Sequence, residues 1–237
     1  MESSMKTTKK LTRKEILRFS GVALAVPTLF GVLLFTSALT LNWPEAWIVV
    51  CAHYLNFIVS IFWGIHRNPD LVRERASNLK GSGKAWDQRI IRLHTLMMFS
   101  LLLVSGFDRR FGWSHVPLTI KLFAGVVLLV GYIIPHWVFR VNTYASGVVR
   151  IQEDRDHRVI KTGPYEYIRH PMYLGTIFML IGFAIVFGSW WALIPAGLDV
   201  LLFVIRTALE DRTLRQELPG YEEYAKEVRF RLLPGIW

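Results

Sequence analysis

The chain has 237 residues, of which 52% are apolar and 19% charged, and a formal net charge of +10 from 28 Lys+Arg against 18 Asp+Glu. Such apolar content excludes a disordered chain, and the single cysteine, Cys51, excludes a disulfide scaffold. A basic balance admits a nucleic-acid partner or an anionic membrane face, and here long apolar runs decide for the membrane.

A hydrocarbon core of about 30 Å needs roughly 17–25 apolar residues per spanning helix. In chain order, Phe19–Leu41 supplies 23 residues without a charge and Trp47–Ile65 supplies 19. Leu93–Phe107 supplies only 15, but Arg89 and Arg92 can snorkel at its start and lengthen the span. Leu122–Phe139 supplies 18, and Met172–Ile205 supplies 34 with one charge, Asp199. The last run is too long for one span and is read as two, folded back near Gly188-Ser189. Backbone in lipid must be bonded internally, so the segments are expected to be helices. The expectation is an all-α integral membrane protein of about six transmembrane helices that ends in a helical hairpin flanked by polar segments. The first run follows a basic start (Lys9, Lys10, Arg13, Lys14, Arg18) like that of a signal peptide, but exceeds the 7–15 residues of an h-region and is read as an anchor.

Charge placement sets the orientation. With the N-terminus inside, segments 1–18, 66–92, 140–171 and 206–237 carry 25 of the 28 Lys+Arg; Arg109, Arg110 and Lys121 remain outside. This is the positive-inside pattern, with both termini cytosolic and the cell membrane as the expected location, and it accounts for the net charge without nucleic acid. Trp43, Trp47, Trp113, Trp190 and Trp191 mark interfacial belts, and Arg109 and Arg110 a headgroup contact. His53, Asn56 and His66 are read as interhelical hydrogen-bonding groups. By composition the chain divides into 1–139, with about four spans and a basic loop at 66–92, and 140–237, which interleaves two spans with polar, motif-rich segments.

Two polar stretches flank the expected hairpin. The first runs from His157 to Tyr165 (HRVIKTGPY) and on through Arg169-His170-Pro171-Met172-Tyr173. Thr162-Gly163-Pro164 is a turn signal, and Pro171 disfavours helix at His170 while suiting a helix start. The second stretch contains Arg206, Glu210 and Asp211, followed by Pro219-Gly220-Tyr221 and Tyr224. A hairpin returns both to one membrane face, which points to a shared site. Arg206 and Glu210 share a helix face, as an ordinary i,i+4 ion pair or as a cation and an anion that clamp a ligand. Asp199, inside a span, is either functional or bonded to a neighbouring helix. Dinucleotide fingerprint, P-loop, zincin and nucleophile-elbow motifs are absent, one cysteine builds no zinc cluster, and the final Pro-Gly-Ile-Trp is no prenylation box.

The order H-x-V-I-x-x-G-P-Y, R-H-P-M-Y-x-G, hydrophobic hairpin, R-x-x-x-E-D-x-x-L, G-Y-x-x-Y resembles the isoprenylcysteine carboxyl methyltransferase family, and in part the phospholipid N-methyltransferases. The resemblance covers about residues 140–237. It implies an integral membrane enzyme that uses S-adenosylmethionine and acts on a lipid or lipid-modified substrate, with no metal. It implies that His157, Arg158, Val159, Ile160 and Tyr165 hold the cofactor, that His170, Pro171, Met172 and Tyr173 form the next wall, that Glu210 is the acidic cofactor ligand, and that Arg206 is the substrate-side catalytic arginine. Asp211 stands where the family usually has a second glutamate, and Arg150 aligns with a glutamine of the eukaryotic members, Gln152 lying two residues later. Three alternatives remain at this point: phospholipid N-methylation; an NADPH-dependent membrane reductase, since sterol and enone reductases carry a similar R-H-P-x-Y loop; and a non-enzymatic transporter for which Asp199 marks a path.

Overall fold

The computed structural model describes residues 11–77 and 83–237. Lys6, Lys9 and Lys10 of the basic start, and Lys80 of the basic loop, lie outside them. Among the described residues there are eight α-helices: α1 (Arg13–Ala38), α2 (Pro44–Arg67), α3 (Pro69–Ser77), α4 (Ala85–Phe111), α5 (Leu118–Val141), α6 (Pro171–Val186), α7 (Leu193–Glu217) and α8 (Tyr221–Glu227).

Four of these, α1, α2, α4 and α5, are long and apolar enough to cross a membrane. Each is longer than its apolar stretch because polar or charged residues at one or both ends continue the helix. In α1 the helix begins at Arg13, where Thr12 and Glu15 form a capping box: Thr12 Oγ1 accepts from the Glu15 amide at 3.2 Å and Glu15 Oε2 accepts from the Thr12 amide at 2.7 Å. In α4 the 15-residue run grows to 27 residues, with Asp87 in its first turn and Arg109 and Arg110 in its last. Helix α6 is shorter, at 16 residues or about 24 Å. It ends at Val186, where the chain turns through Gly188 at φ +81° before α7 begins at Leu193. The second half of α7 is charged rather than apolar, and those charges build the site described below.

The basic helix ends gather at one pole. Asp87, near the start of α4, meets Arg206, in the second half of α7, and Asn68, just after α2, meets Phe139, near the end of α5. At the opposite pole Asp108 of α4 accepts from Ser114 and Ser189, and Lys121 of α5 meets Glu45 of α2. Leu34, Trp43, Leu101, Leu180, Phe183 and Phe203 form the core between them. Outward, Ile48, Leu55, Phe62, Leu122, Phe123, Val126 and Leu129 are exposed, an apolar rim suited to lipid.

With no hydrophobic force between helices in lipid, close backbone approach supplies the packing energy, and glycine permits it. A Cβ on Gly131 of α5 would lie 3.0 Å from the Gly175 carbonyl oxygen of α6, and one on Gly175 would lie 2.9 Å from Pro135 Cδ. Gly182, two turns on, meets Leu128 in the same way at 2.8 Å. Gly175→Val should therefore lower stability by about 1–3 kcal/mol through overpacking. The same change at Gly125, where no atom lies within 4 Å of a new Cβ, should leave the detergent melting curve nearly unchanged.

Candidate active site

The segment between α5 and α6 crosses the basic pole as an irregular loop, and side chains brace it. Asn142 accepts from the Tyr144 amide at 2.8 Å and donates to the Tyr165 hydroxyl at 2.7 Å. Gly163-Pro164 opens a one-turn 3₁₀ helix, Gly163–Glu166, with Gly163 at φ +66°, as the turn signal predicts. His170 is the non-helical residue before α6, and Pro171 is its first residue. The Arg169 and His170 amides donate to the Phe230 and Arg231 carbonyls at 3.0 and 2.9 Å, which pins the loop to the C-terminal segment.

Loop, α6, α7 and α8 line a cavity that opens to the surface. His157, Arg158, Val159, Ile160, Tyr165, His170, Pro171, Met172, Tyr173 and Glu210 all line it. The structure thus brings together ten of the eleven residues named from the sequence, although they span 54 positions of the chain. Tyr144, Arg150, Gln152, Leu214, Tyr221 and Tyr224 line it as well.

Arg206, the eleventh, lies outside the lining, behind Tyr173. Its guanidinium carbon sits 5.1 Å from the Tyr173 ring centre. Arg206 and Glu210 do not pair as i,i+4 neighbours. The Arg206 fork grips Asp87 of α4, at 2.7 and 3.3 Å, and donates to the Gly147 carbonyl at 3.0 Å. Glu210 instead accepts from the Tyr173 hydroxyl. The Tyr173 and His170 rings stack at 5.8 Å and 2°. Asp87 also accepts from the Val149 amide at 2.8 Å, so one buried carboxylate ties α4, α7 and the loop.

Asp211 is a second hub. Arg169 grips it with Nε and Nη2 at 2.7 and 3.2 Å, Arg215 and Arg231 each reach it at 3.1 Å, and the Tyr221 hydroxyl and His170 Nε2 lie at 3.2 and 3.4 Å. Sequence reasoning noted Asp211 only as a departure from a Glu-Glu pair. Asp87 was missed altogether, because its partner lies 119 residues away and no local pattern marks it. Gln152 is buried, and its amide is engaged with the Tyr144 carbonyl and Arg155. Arg150 is held by Glu74 of α3, at 2.8 and 2.7 Å, and by Asp154 at 2.9 Å.

Burial sets the proton chemistry of the loop. It lowers the His157 pKa to about 4, helped by the positive Arg155 and Arg150. The imidazole is neutral, its Nδ1 faces the Gln152 amide at 3.4 Å, and its ring packs on Tyr144 at 4.5 Å. Burial raises the phenol pKa values of Tyr165, Tyr221 and Tyr224, which stay protonated donors. Hydrogen bonding to Glu74 strengthens the hold of Arg150 on its proton.

Elsewhere the polar groups inside the helices are bonded to one another. Asp199 of α7 faces His94 Nδ1 of α4 at 2.8 and 3.0 Å, an interhelical pair. His53 meets Tyr132 and Asn56 meets His136, both across helices, whereas His66 bonds the Phe62 carbonyl of its own helix. Arg109 donates to the Asn42 carbonyl and Arg110 lies over Phe111.

A helical bundle with an apolar rim and a polar, carboxylate-bearing cavity at its basic pole defines the class. Residues 120–218 match the family model described as phospholipid methyltransferase. Over 92 residues the chain is 33% identical to the protein-S-isoprenylcysteine O-methyltransferase of Saccharomyces cerevisiae (strain ATCC 204508 / S288c), a stretch covering 38% of this chain and 36% of the yeast protein. The chain thus matches about a third of the length of that relative. The resemblance read from the motifs is borne out over this part of the chain. The family match begins inside α5, one helix earlier than the motif-rich segment at 140–237, which accords with the close contact of α5 and α6.

Two outcomes follow. Asp211→Asn should destabilise the fold by about 3–5 kcal/mol, because it strips the counter-charge from buried Arg169, and thermal unfolding in detergent will read this. His157 stays neutral in the fold down to about pH 4, whereas an unfolded histidine takes up its proton near 6.5. Its contribution is therefore complete above pH 6.5 and is lost as pH falls toward 4. Amide exchange over residues 152–160 should accelerate across that window, beyond its intrinsic pH dependence, and less so in His157→Gln.

Proposed function

We propose that this chain is an integral membrane methyltransferase that uses S-adenosylmethionine and methylates a lipid-linked carboxylate, such as the C-terminal carboxylate of an isoprenylated cysteine. The observation that carries the reading is the convergence of His157–Ile160, Tyr165, His170–Tyr173 and Glu210 on one cavity. The donor set suits the cofactor. Glu210 offers an anion for its ammonium group, exposed Arg158 a cation for its carboxylate, and Tyr165 with the His157–Tyr144 pair aromatic faces for its base. Bound there, the cofactor would supply an electrophilic methyl group on a sulfonium.

The chain's own work is then alignment and exclusion of water, and alignment alone is worth up to about 7–11 kcal/mol of barrier. A carboxylate acceptor with a pKa near 3.3–3.7 is already an anion at pH 7, so no general base is needed. The site accords with that, since His170, the imidazole beside Glu210, turns Nε2 toward Asp211. In this reading Arg206 is the substrate-side cation. Its Nε and Nη2 fix the wall through Asp87, and Nη1 remains for the acceptor. We place the basic pole at the cytosol, in the cell membrane, count α1, α2 and α4–α7 as six spans, and take residues 140–237 as the cofactor-binding half. Phospholipid N-methylation is the second reading, favoured by the description of the matching family model. It requires a group to accept a proton from the ammonium, and Glu210 is the candidate.

Calorimetry with S-adenosylhomocysteine should detect binding, and Glu210→Gln should weaken it about 10–100-fold, as expected for a lost hydrogen bond to a charged group. Labelled methyl should pass to N-acetyl-S-farnesylcysteine in preference to phosphatidylethanolamine. No affinity for the nucleoside in the wild-type protein would overturn the reading.

A further inference from the structure

Arg75 of α3 is a half-buried cation that meets no anion among the described residues. Its Nε and Nη2 donate to the Ala145 carbonyl at 3.1 and 2.9 Å, Nη2 lies 3.8 Å from Met172 Sδ, and its guanidinium carbon sits 4.5 Å above the Phe139 ring. No carboxylate pairs with it among the described residues. Its neighbour Glu74 grips Arg150, and Asp70 grips Arg73. Burial and the nearby positive Arg206 lower its pKa to about 10, so it keeps its charge at neutral pH in a setting that disfavours charge. Even a half-buried cation without a counter-ion is disfavoured, and a backbone carbonyl and a thioether offset only part of that cost. Arg75 is partly exposed, and two residues it touches, Ala145 and Met172, line the cavity. The flexible thioether of Met172 is a wall that yields.

We propose that Arg75, together with Nη1 of Arg206, forms the oxyanion site that receives the negatively charged head of the lipid acceptor. The proposal rests on the methyltransferase reading and deepens it by naming a residue outside the matched segment 120–218. With Glu210 facing the cofactor and Asp87 committed to Arg206, the two guanidiniums leave an excess positive charge beside the cavity. A planar guanidinium suits a carboxylate in particular. As a merely structural tie between α3 and the loop, Arg75 would lose stability and cofactor affinity on substitution without altering acceptor choice.

The test uses the full chain in detergent, with S-adenosylhomocysteine bound. The wild type should hold N-acetyl-S-farnesylcysteine about tenfold or more tighter than its carboxamide. Arg75→Gln should erase that ratio and raise KM for the acid while leaving nucleoside affinity unchanged, and Arg75→Lys should restore part of the ratio. Should Arg75→Gln fail to fold, the Lys variant alone decides, since a weakened ratio supports the site and an unchanged one does not. A wild type that binds acid and amide equally, or an Arg75 variant that keeps the full preference, overturns the proposal. Phosphatidylethanolamine turnover that depends on Arg75 would keep the oxyanion site but make a phosphate its ligand and overturn the carboxylate acceptor. Absence of nucleoside binding in the wild type would instead overturn the methyltransferase reading itself.

Discussion

Three guanidinium groups, an imidazole and a phenol converge on the two oxygens of Asp211, and three like charges can crowd together there only because one buried carboxylate lies among them. The rest of the cavity depends on that convergence. Arg169 brings the loop before α6, Arg231 the C-terminal segment and Tyr221 the start of α8, all to one point on α7. The Arg169 guanidinium also donates to the Val228 and Arg229 carbonyls at 2.6 and 2.8 Å, so the same side chain closes the end of α8. An aspartate here holds the charge one methylene closer to the α7 backbone than the glutamate usual in the resembling family.

Helix geometry then divides the labour along α7. Arg206 and Glu210, four residues apart, share the face turned to Tyr173. Asp211, one residue on, is rotated about 100° and serves the neighbouring hub. Tyr173 joins the two sets, since its ring lies against Arg206 and His170 while its hydroxyl bonds Glu210. The wall of the cavity is a layered stack in which each polar group is fixed by another. A single change at Tyr173 thus touches the carboxylate, the imidazole and the guanidinium at once.

What could be read beforehand follows from the range of each signal. Apolar run length marked the helices of the bundle, and turn chemistry marked Gly163-Pro164 and His170-Pro171, because both are local. The resemblance collected ten lining residues because their motifs are short and ordered. Missed were the partners that meet only in space. Asp87, Glu74 and Arg75 fell within the basic loop at 66–92 with no role read for them, and Arg206 was open between an i,i+4 pair and a ligand clamp with Glu210. Their pairings span 119 residues for Asp87–Arg206 and 76 for Glu74–Arg150, beyond any window of periodicity. Asp199 was ambiguous for the same reason, since only His94, 105 positions earlier, reveals an interhelical bond. Helix α7 also shows why run length alone underestimates helix length: its second half gives up apolar residues for Arg206, Glu210 and Asp211, and yet the helix continues to Glu217.

The charges around the cavity finally constrain its occupants. Asp87 with Arg206, Asp211 with Arg169, and Glu74 with Arg150 are bidentate pairs, and in each the carboxylate and the guanidinium offset one another's charge. Glu210, Arg158 and Arg75 are not consumed in this way among the described residues. Glu210 holds only a phenol hydroxyl and a distant imidazole nitrogen, while the two arginines face no carboxylate. One open anion and two open cations favour a pair of ligands in which one carries positive and negative groups and the other is an anion. A sulfonium amino acid nucleoside fits the first description, and an acceptor that reacts as an oxyanion fits the second. A cationic amine as acceptor would add positive charge to a site that already has an excess of it.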